Sequence, residues 1–117
     1  MKNFNISEFD SPDLVGSGQF MDAEFLNILD KARELANTSF VITSGYRTES
    51  HNKKVGGVSS SSHRIGKACD ISCRDSRKRS QIITALLEAG FTRIGVGSTF
   101  IHVDNDKDKS QDVIWTY

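Results

Sequence analysis

The sequence predicts an α+β fold in which helices pack against a small, mainly antiparallel sheet. Three observations predict it. Two segments repeat apolar residues with helical period, Phe25 to Ala36 and Ile82 to Leu87. Two others, Lys67 to Ile71 and Thr99 to Asp104, alternate in the manner of half-buried strands. Caps, glycines and turn residues punctuate the spaces between them. At 117 residues the chain is long enough for one modest core without staples. No repeat, low-complexity tract or linker divides it, so a single domain over 1–117 is expected.

Met1 to Gln19 reads as an irregular opening segment anchored by Ile6 and Phe9, with Gly16-Ser17-Gly18 as a flexible joint. Asp22 caps a helix running to about Ala36, because Phe25, Ile28, Leu29, Ala32, Leu35 and Ala36 share one face. Phe40 to Thr43 follows as a short buried strand. Thr48 caps a brief helix that ends near Val55-Gly56-Gly57, where glycine permits a sharp reversal. Gly66 allows a turn into the strand at Lys67 to Ile71. Asp75 or Ser76 then starts a helix that buries Ile82, Ile83, Leu86 and Leu87 and stops at Gly90. Arg93 to Asp104 forms a hairpin around Gly97-Ser98, and Val113-Ile114-Trp115 adds a last strand.

Fifteen basic residues balance fifteen acidic ones. That balance, with few aromatics at positions other than core-like ones, provides neither an electrostatic footprint nor a stacking platform for nucleic acid. The basic run Arg74 to Arg79 opens a helix and reads as a solvated surface. No apolar run approaches the roughly 20 residues that span a bilayer, and no apolar secretory segment opens the chain. Synthesis in the cytoplasm, without a membrane partner, is therefore expected. Cys69 and Cys73 lie on one presumed strand. At about 3.3 Å rise per residue their Cα atoms are too distant for a disulfide, so both are expected as buried thiols.

The chemistry concentrates in Ser61-Ser62-His63-Arg64-Ile65-Gly66-Lys67-Ala68-Cys69-Asp70 and, downstream, Phe100-Ile101-His102-Val103-Asp104. On one strand Ala68 and Asp70 share a face while Cys69, Ile71 and Cys73 share the other. On the returning strand Phe100, His102 and Asp104 share a face, with Ile101 and Val103 turned into the core. A charge in the middle of an apolar strand needs a partner. His63, Asp70 and His102 can supply three protein ligands to one zinc ion and leave a fourth position open, the arrangement of a catalytic rather than a structural site. The same donor set can also hold iron(II).

The pattern Ser-x-His-x-x-Gly-x-Ala-x-Asp, met by Ser61, His63, Gly66, Ala68 and Asp70 with a later His102, resembles the zinc D-Ala-D-Ala carboxypeptidases and dipeptidases. That family includes L-alanyl-D-glutamate endopeptidases of phage endolysins and shares a fold with the Hedgehog signalling domain. Thr43 to Thr48, Asn52 and Val55-Gly56-Gly57 also look like its short phage and bacterial members. The resemblance covers roughly Phe20 to Asp104. It implies a Hedgehog/DD-peptidase-like fold and one Zn2+ per chain held by His63, Asp70 and His102.

The resemblance also assigns roles. Arg47 matches an arginine that stabilises oxygen charge on the substrate carbonyl, where a fixed cation is worth most, and it is also expected to bind substrate; a surface ion pair is the alternative. Ser61 either holds substrate or shapes its loop. Better-known members carry an acid three positions before the last ligand histidine, and here that residue is Thr99, which cannot act as a base. Asp104 is the nearest substitute, either as general base or as a carboxylate that orients a ligand histidine. Glu49 is a distant second candidate. His51 is read as a surface residue and Tyr46 as core.

Two functions follow. The first is a zinc-dependent peptidase that cleaves a peptidoglycan peptide next to a D-amino acid, as a D,D-carboxypeptidase or L,D-endopeptidase. It would work as a monomer, reaching the wall after release or within a phage particle. The second is a catalytically impaired, zinc-stabilised module that binds cell wall or protein, supported by the missing acid at Thr99.

Overall fold

The computed structural model describes residues 1–117. Three helices, α1 (Ala23–Ala36), α2 (Glu49–Lys54) and α3 (Ser76–Ala89), accompany five strands. The strands are β1 (Ile42–Ser44), β2 (Ala68–Ser72), β3 (Arg93–Val96), β4 (Phe100–Asp104) and β5 (Val113–Thr116). They lie in the spatial order β1-β2-β4-β3-β5. Pairing is antiparallel except between β3 and β5, which run parallel. The fold is α+β with a mostly antiparallel sheet, as the patterning predicts. No helix is long and apolar enough to cross a membrane.

The helices begin where side chains satisfy their free N–H groups. Phe25 N donates to Asp22 Oδ2 at 2.9 Å, His51 N to Thr48 Oγ1 at 3.1 Å, and Lys78 N to Asp75 Oδ2 at 2.9 Å. The two long helices end at residues in the left-handed region, Asn37 after α1 and Gly90 after α3. Both pack on the sheet face made by Cys69, Ile71, Ile94, Ile101 and Val103, with Phe25, Leu29, Ile82 and Leu86 between the layers. Burying side chains of this size is worth about 1.5–3 kcal/mol each, so this layer carries most of the stability. Cys69 and Cys73 are buried free thiols within it. Tyr46 packs at its margin.

Several expected details shift. Ile6 is not an anchor: it is exposed, and Phe4 is buried beside Phe9 instead, their rings 5.5 Å apart. Gly16-Ser17-Gly18 is a pinned turn rather than a flexible joint. Asp10 accepts hydrogen bonds from Gly16 N at 3.0 Å and Gly18 N at 2.7 Å, while the buried Ser17 Oγ accepts from Ser11 N at 2.7 Å. The first strand begins two residues later than predicted, at Ile42, because it is an edge strand irregularly paired with β2 and leaves Val41 in solvent. Leu35 and Leu87 are also exposed. Each lies at the border of its helix's apolar stripe, and Leu26 takes the core position on α1.

Candidate active site

The face of the sheet away from α1 and α3 carries the polar residues. Register fixes them in rows: Asp70 on β2 pairs with His102 on β4, which pairs with Gly95 on β3, which pairs with Trp115 on β5. One step along the strands, Ala68, Asp104, Arg93 and Val113 form a parallel row. Directly opposed residues share a face and interact. The small Ala68 therefore leaves room beside Asp104.

His63 reaches this face from a 3-10 turn, Ser62–Ile65, between α2 and β2. The turn is clamped at two points. His63 Nδ1 donates to Gly45 O at 2.8 Å, and Arg47 N donates to His63 O at 3.1 Å. Gly66 ends the turn with φ +71°, in a space where a Cβ would lie 2.9 Å from Met21 Cα. Only glycine adopts that reversal without cost. Ser61 caps the turn, its Oγ accepting from His63 N at 3.3 Å.

The ligand atoms of His63, Asp70 and His102 lie within 4.8 Å of one another. Asp70 Oδ1 is 3.3 Å from His63 Nε2 and 3.0 Å from His102 Nδ1. His102 Nε2 donates to Asp104 Oδ2 at 2.8 Å. Burial opposes charge on Asp70, yet the adjacent imidazoles of His102 and His63 hold its carboxyl well below the usual carboxylate range. Burial likewise opposes charge on His102, but Asp104 and Asp70 outweigh it and raise the ring's pKa. The pocket draws positive charge.

One atom decides what kind of charge fits. With Nδ1 committed to Gly45 O, His63 presents Nε2 as a lone pair, and this buried atom has no hydrogen-bond partner. A proton on His102 would satisfy Asp70 and leave His63 Nε2 orphaned, at a cost of about 1–3 kcal/mol. A divalent cation shared by the three groups satisfies all of them. Two imidazoles and a carboxylate with one open side are a donor set suited to zinc.

Asp104 is buried and fully engaged. Besides His102 it accepts from Arg93 Nε at 2.7 Å and Asp106 N at 3.1 Å. Burial raises the carboxyl's pKa, but His102 and Arg93 lower it by more. Arg47 stands on the other side of the ligand set. Its Nη2 lies 3.4 Å from Asp70 Oδ2, and its fork is steadied by Ser44 Oγ at 3.0 Å and Asn52 Oδ1 at 3.3 Å. Ser61, Arg47, Asp104 and the three ligand candidates all line one groove of about 360 Å3. Thr99 and His51 line a neighbouring groove instead. Glu49 is exposed in the first turn of α2 and lines neither.

Sequence reasoning missed several neighbours. Arg93 opposes Asp104 across the hairpin, a pairing that counting outward from the turn could have found. Its guanidinium also lies 4.8 Å from the Trp115 ring centroid. Trp115 itself sits 5.6 Å from the His102 ring. Gly95 makes that approach possible, since a Cβ there would fall 2.8 Å from the indole. Beneath the ligand turn, the buried Ser62 Oγ donates to Asp106 Oδ2 at 2.7 Å and accepts from Lys109 Nζ at 3.0 Å. No local signal marks the contacts of Trp115 with His102 or of Ser62 with Asp106 and Lys109.

The fold and the three-ligand cluster together define a metallopeptidase-like domain. The family described as Peptidase M15 matches residues 2–104, and the chain belongs to it. Among curated proteins, none matches the chain. The match ends at Asp104, so Trp115 and Lys109 are supplied by the segment beyond it.

Proposed function

We propose that the protein is a zinc-dependent peptidase that cleaves peptidoglycan peptides next to a D-amino acid. The observation that carries this reading is the orphaned, buried Nε2 of His63 aimed at Asp70 and His102. The substrate class rests on the resemblance of the Ser61–Asp70 motif to enzymes of that specificity, and peptidase chemistry on the family.

His63 Nε2, Asp70 and His102 Nδ1 would hold the ion. A zinc ion there supplies Lewis acidity, polarising a carbonyl and acidifying water. Gly45 O and Asp104 fix the two rings in the tautomers that present lone pairs inward. Arg47 lies against the ligand set as a preorganised cation for negative charge developing on the scissile carbonyl oxygen. The Ser61 hydroxyl accepts from the backbone and keeps its own proton to donate to a bound peptide. Asp104, with both oxygens occupied, acts in this reading as the group that orients His102 rather than as the general base.

A second reading, a zinc-holding binding module without turnover, is favoured by one observation. The carboxylates lining the groove, Asp70 and Asp104, are both already committed. Mass spectrometry of purified muropeptides incubated with zinc-loaded protein, with His102→Ala as control, separates the two. New fragments that vanish in the control support the peptidase and name the bond. Muropeptide binding with no cleavage supports the module.

A further inference from the structure

A second groove, of about 310 Å3, adjoins the first and shares Arg47, Val55, Asp70 and Phe100 with it. Its remaining wall is polar, made by the hydroxyls of Thr43, Ser44, Ser72 and Thr99 with His51 and Arg74. Of the two arginines, Arg47 is paired with Asp70. Arg74 is exposed, stands two residues past the end of β2, and makes no side-chain hydrogen bond or ion pair. Asp70 is the one carboxylate in this lining; its Oδ2 is paired with Arg47 and its Oδ1 is turned toward the two imidazoles of the ligand set. The groove therefore has an unspent guanidinium beside hydroxyl donors, within reach of the ligand set.

We propose that this groove is a carboxylate subsite in which Arg74 receives a carboxylate of the peptide close to the bond being cut. The proposal deepens the peptidase reading and rests on it. A guanidinium offers two parallel N–H donors that match the two oxygens of a carboxylate. The hydroxyls of Ser72 and Thr99 can donate to the same oxygens. Such a group reaches the groove from either of two sources: the terminal α-carboxylate of a peptide ending in D-Ala-D-Ala, or the free α-carboxylate of a γ-linked D-glutamate. Arg74 is thus a specificity-determining residue, and it takes no part in bond cleavage.

The test uses the full chain loaded with zinc and two matched peptide pairs. One pair is a D-Ala-D-Ala tripeptide as free acid and as C-terminal amide. The other is an L-Ala-γ-D-Glu peptide with its α-carboxylate free and amidated. Affinity by calorimetry, and KM and kcat where turnover occurs, are measured for wild type, Arg74→Gln and Arg74→Lys at equal zinc content. Wild type is expected to favour the acid of one pair by on the order of tenfold or more, the scale of a hydrogen bond to a charged group. Arg74→Gln removes the preference through KM and Arg74→Lys keeps part of it, and the pair that responds names the source. No acid preference in either pair, or a preference that survives in Arg74→Gln, overturns the subsite. An Arg74-dependent acid preference without cleavage would remove the peptidase reading and leave the subsite standing, whereas cleavage without acid preference would do the reverse.

Discussion

His102 is held between two carboxylates on the same face of the sheet, donating from Nε2 to Asp104 at 2.8 Å while Nδ1 faces Asp70 at 3.0 Å. The orientation of a proposed metal ligand thus depends on a residue two positions along its own strand. Asp104→Asn is expected to weaken zinc binding by about 10–100-fold, measured by competition with a chromophoric chelator. Unchanged affinity with turnover lost would instead make Asp104 the base.

Trp115 is the single tryptophan of the chain and lies 5.6 Å from His102. Intrinsic fluorescence is therefore a local probe of the cluster. Adding zinc to metal-free protein is expected to shift Trp115 emission with saturation at one equivalent. His102→Ala should abolish that titration. A spectrum indifferent to zinc would place the ion away from this row of residues.

Gly95 has no side chain because the indole occupies that space. Gly95→Ala should overpack the sheet face and cost about 1–3 kcal/mol, read by chemical denaturation. The same variant should alter Trp115 emission in the native state. Full stability with an unchanged spectrum would contradict the packing.

Leu29 and Leu35 both fit the helical period of α1, but Leu29 is fully buried and Leu35 is about half exposed. Leu29→Ala should cost about 2–5 kcal/mol and Leu35→Ala no more than about 0.5 kcal/mol. Equal costs would mean that the apolar stripe is wider than the structure shows.

Asp30 ties the start of the chain to α1 by accepting from Lys2 N at 3.0 Å and Asn3 N at 2.8 Å. Burial raises its pKa, but these bonds lower it by more. A lowered folded-state value means the contribution is present above the unfolded pKa, about 4, and is lost as pH falls through the folded value. Asp30→Asn should cost up to about 1 kcal/mol at pH 7, modest because solvent screens the site. The gap from wild type should close in acid; a gap undiminished at pH 2 would contradict the linkage.

Much of this was readable in the sequence because it is local. The caps at Asp22, Thr48 and Asp75 precede apolar periodicity, and strand alternation alone put Asp70 and His102 opposite the core face. What was not readable depends on partners far along the chain. Nothing near Val113 indicates that β5 runs parallel to β3, so Trp115's place beside His102 could not be inferred. Asp10's hold on Gly16 and Gly18 likewise turns a glycine-rich stretch into a fixed turn through contacts that composition does not show. Ile6 and Phe4 are equally apolar to a sequence reader, and only packing against Phe9 and Phe40 selects Phe4.

The central claim is that His63, Asp70 and His102 share one ion. Zinc per chain, measured by mass spectrometry of the element after metal-free protein is reloaded and desalted, addresses it directly. One zinc per chain in wild type, lost in each of His63→Ala, Asp70→Ala and His102→Ala with folding retained, is the predicted result. No bound zinc in wild type, or a full equivalent retained in all three variants, would contradict it.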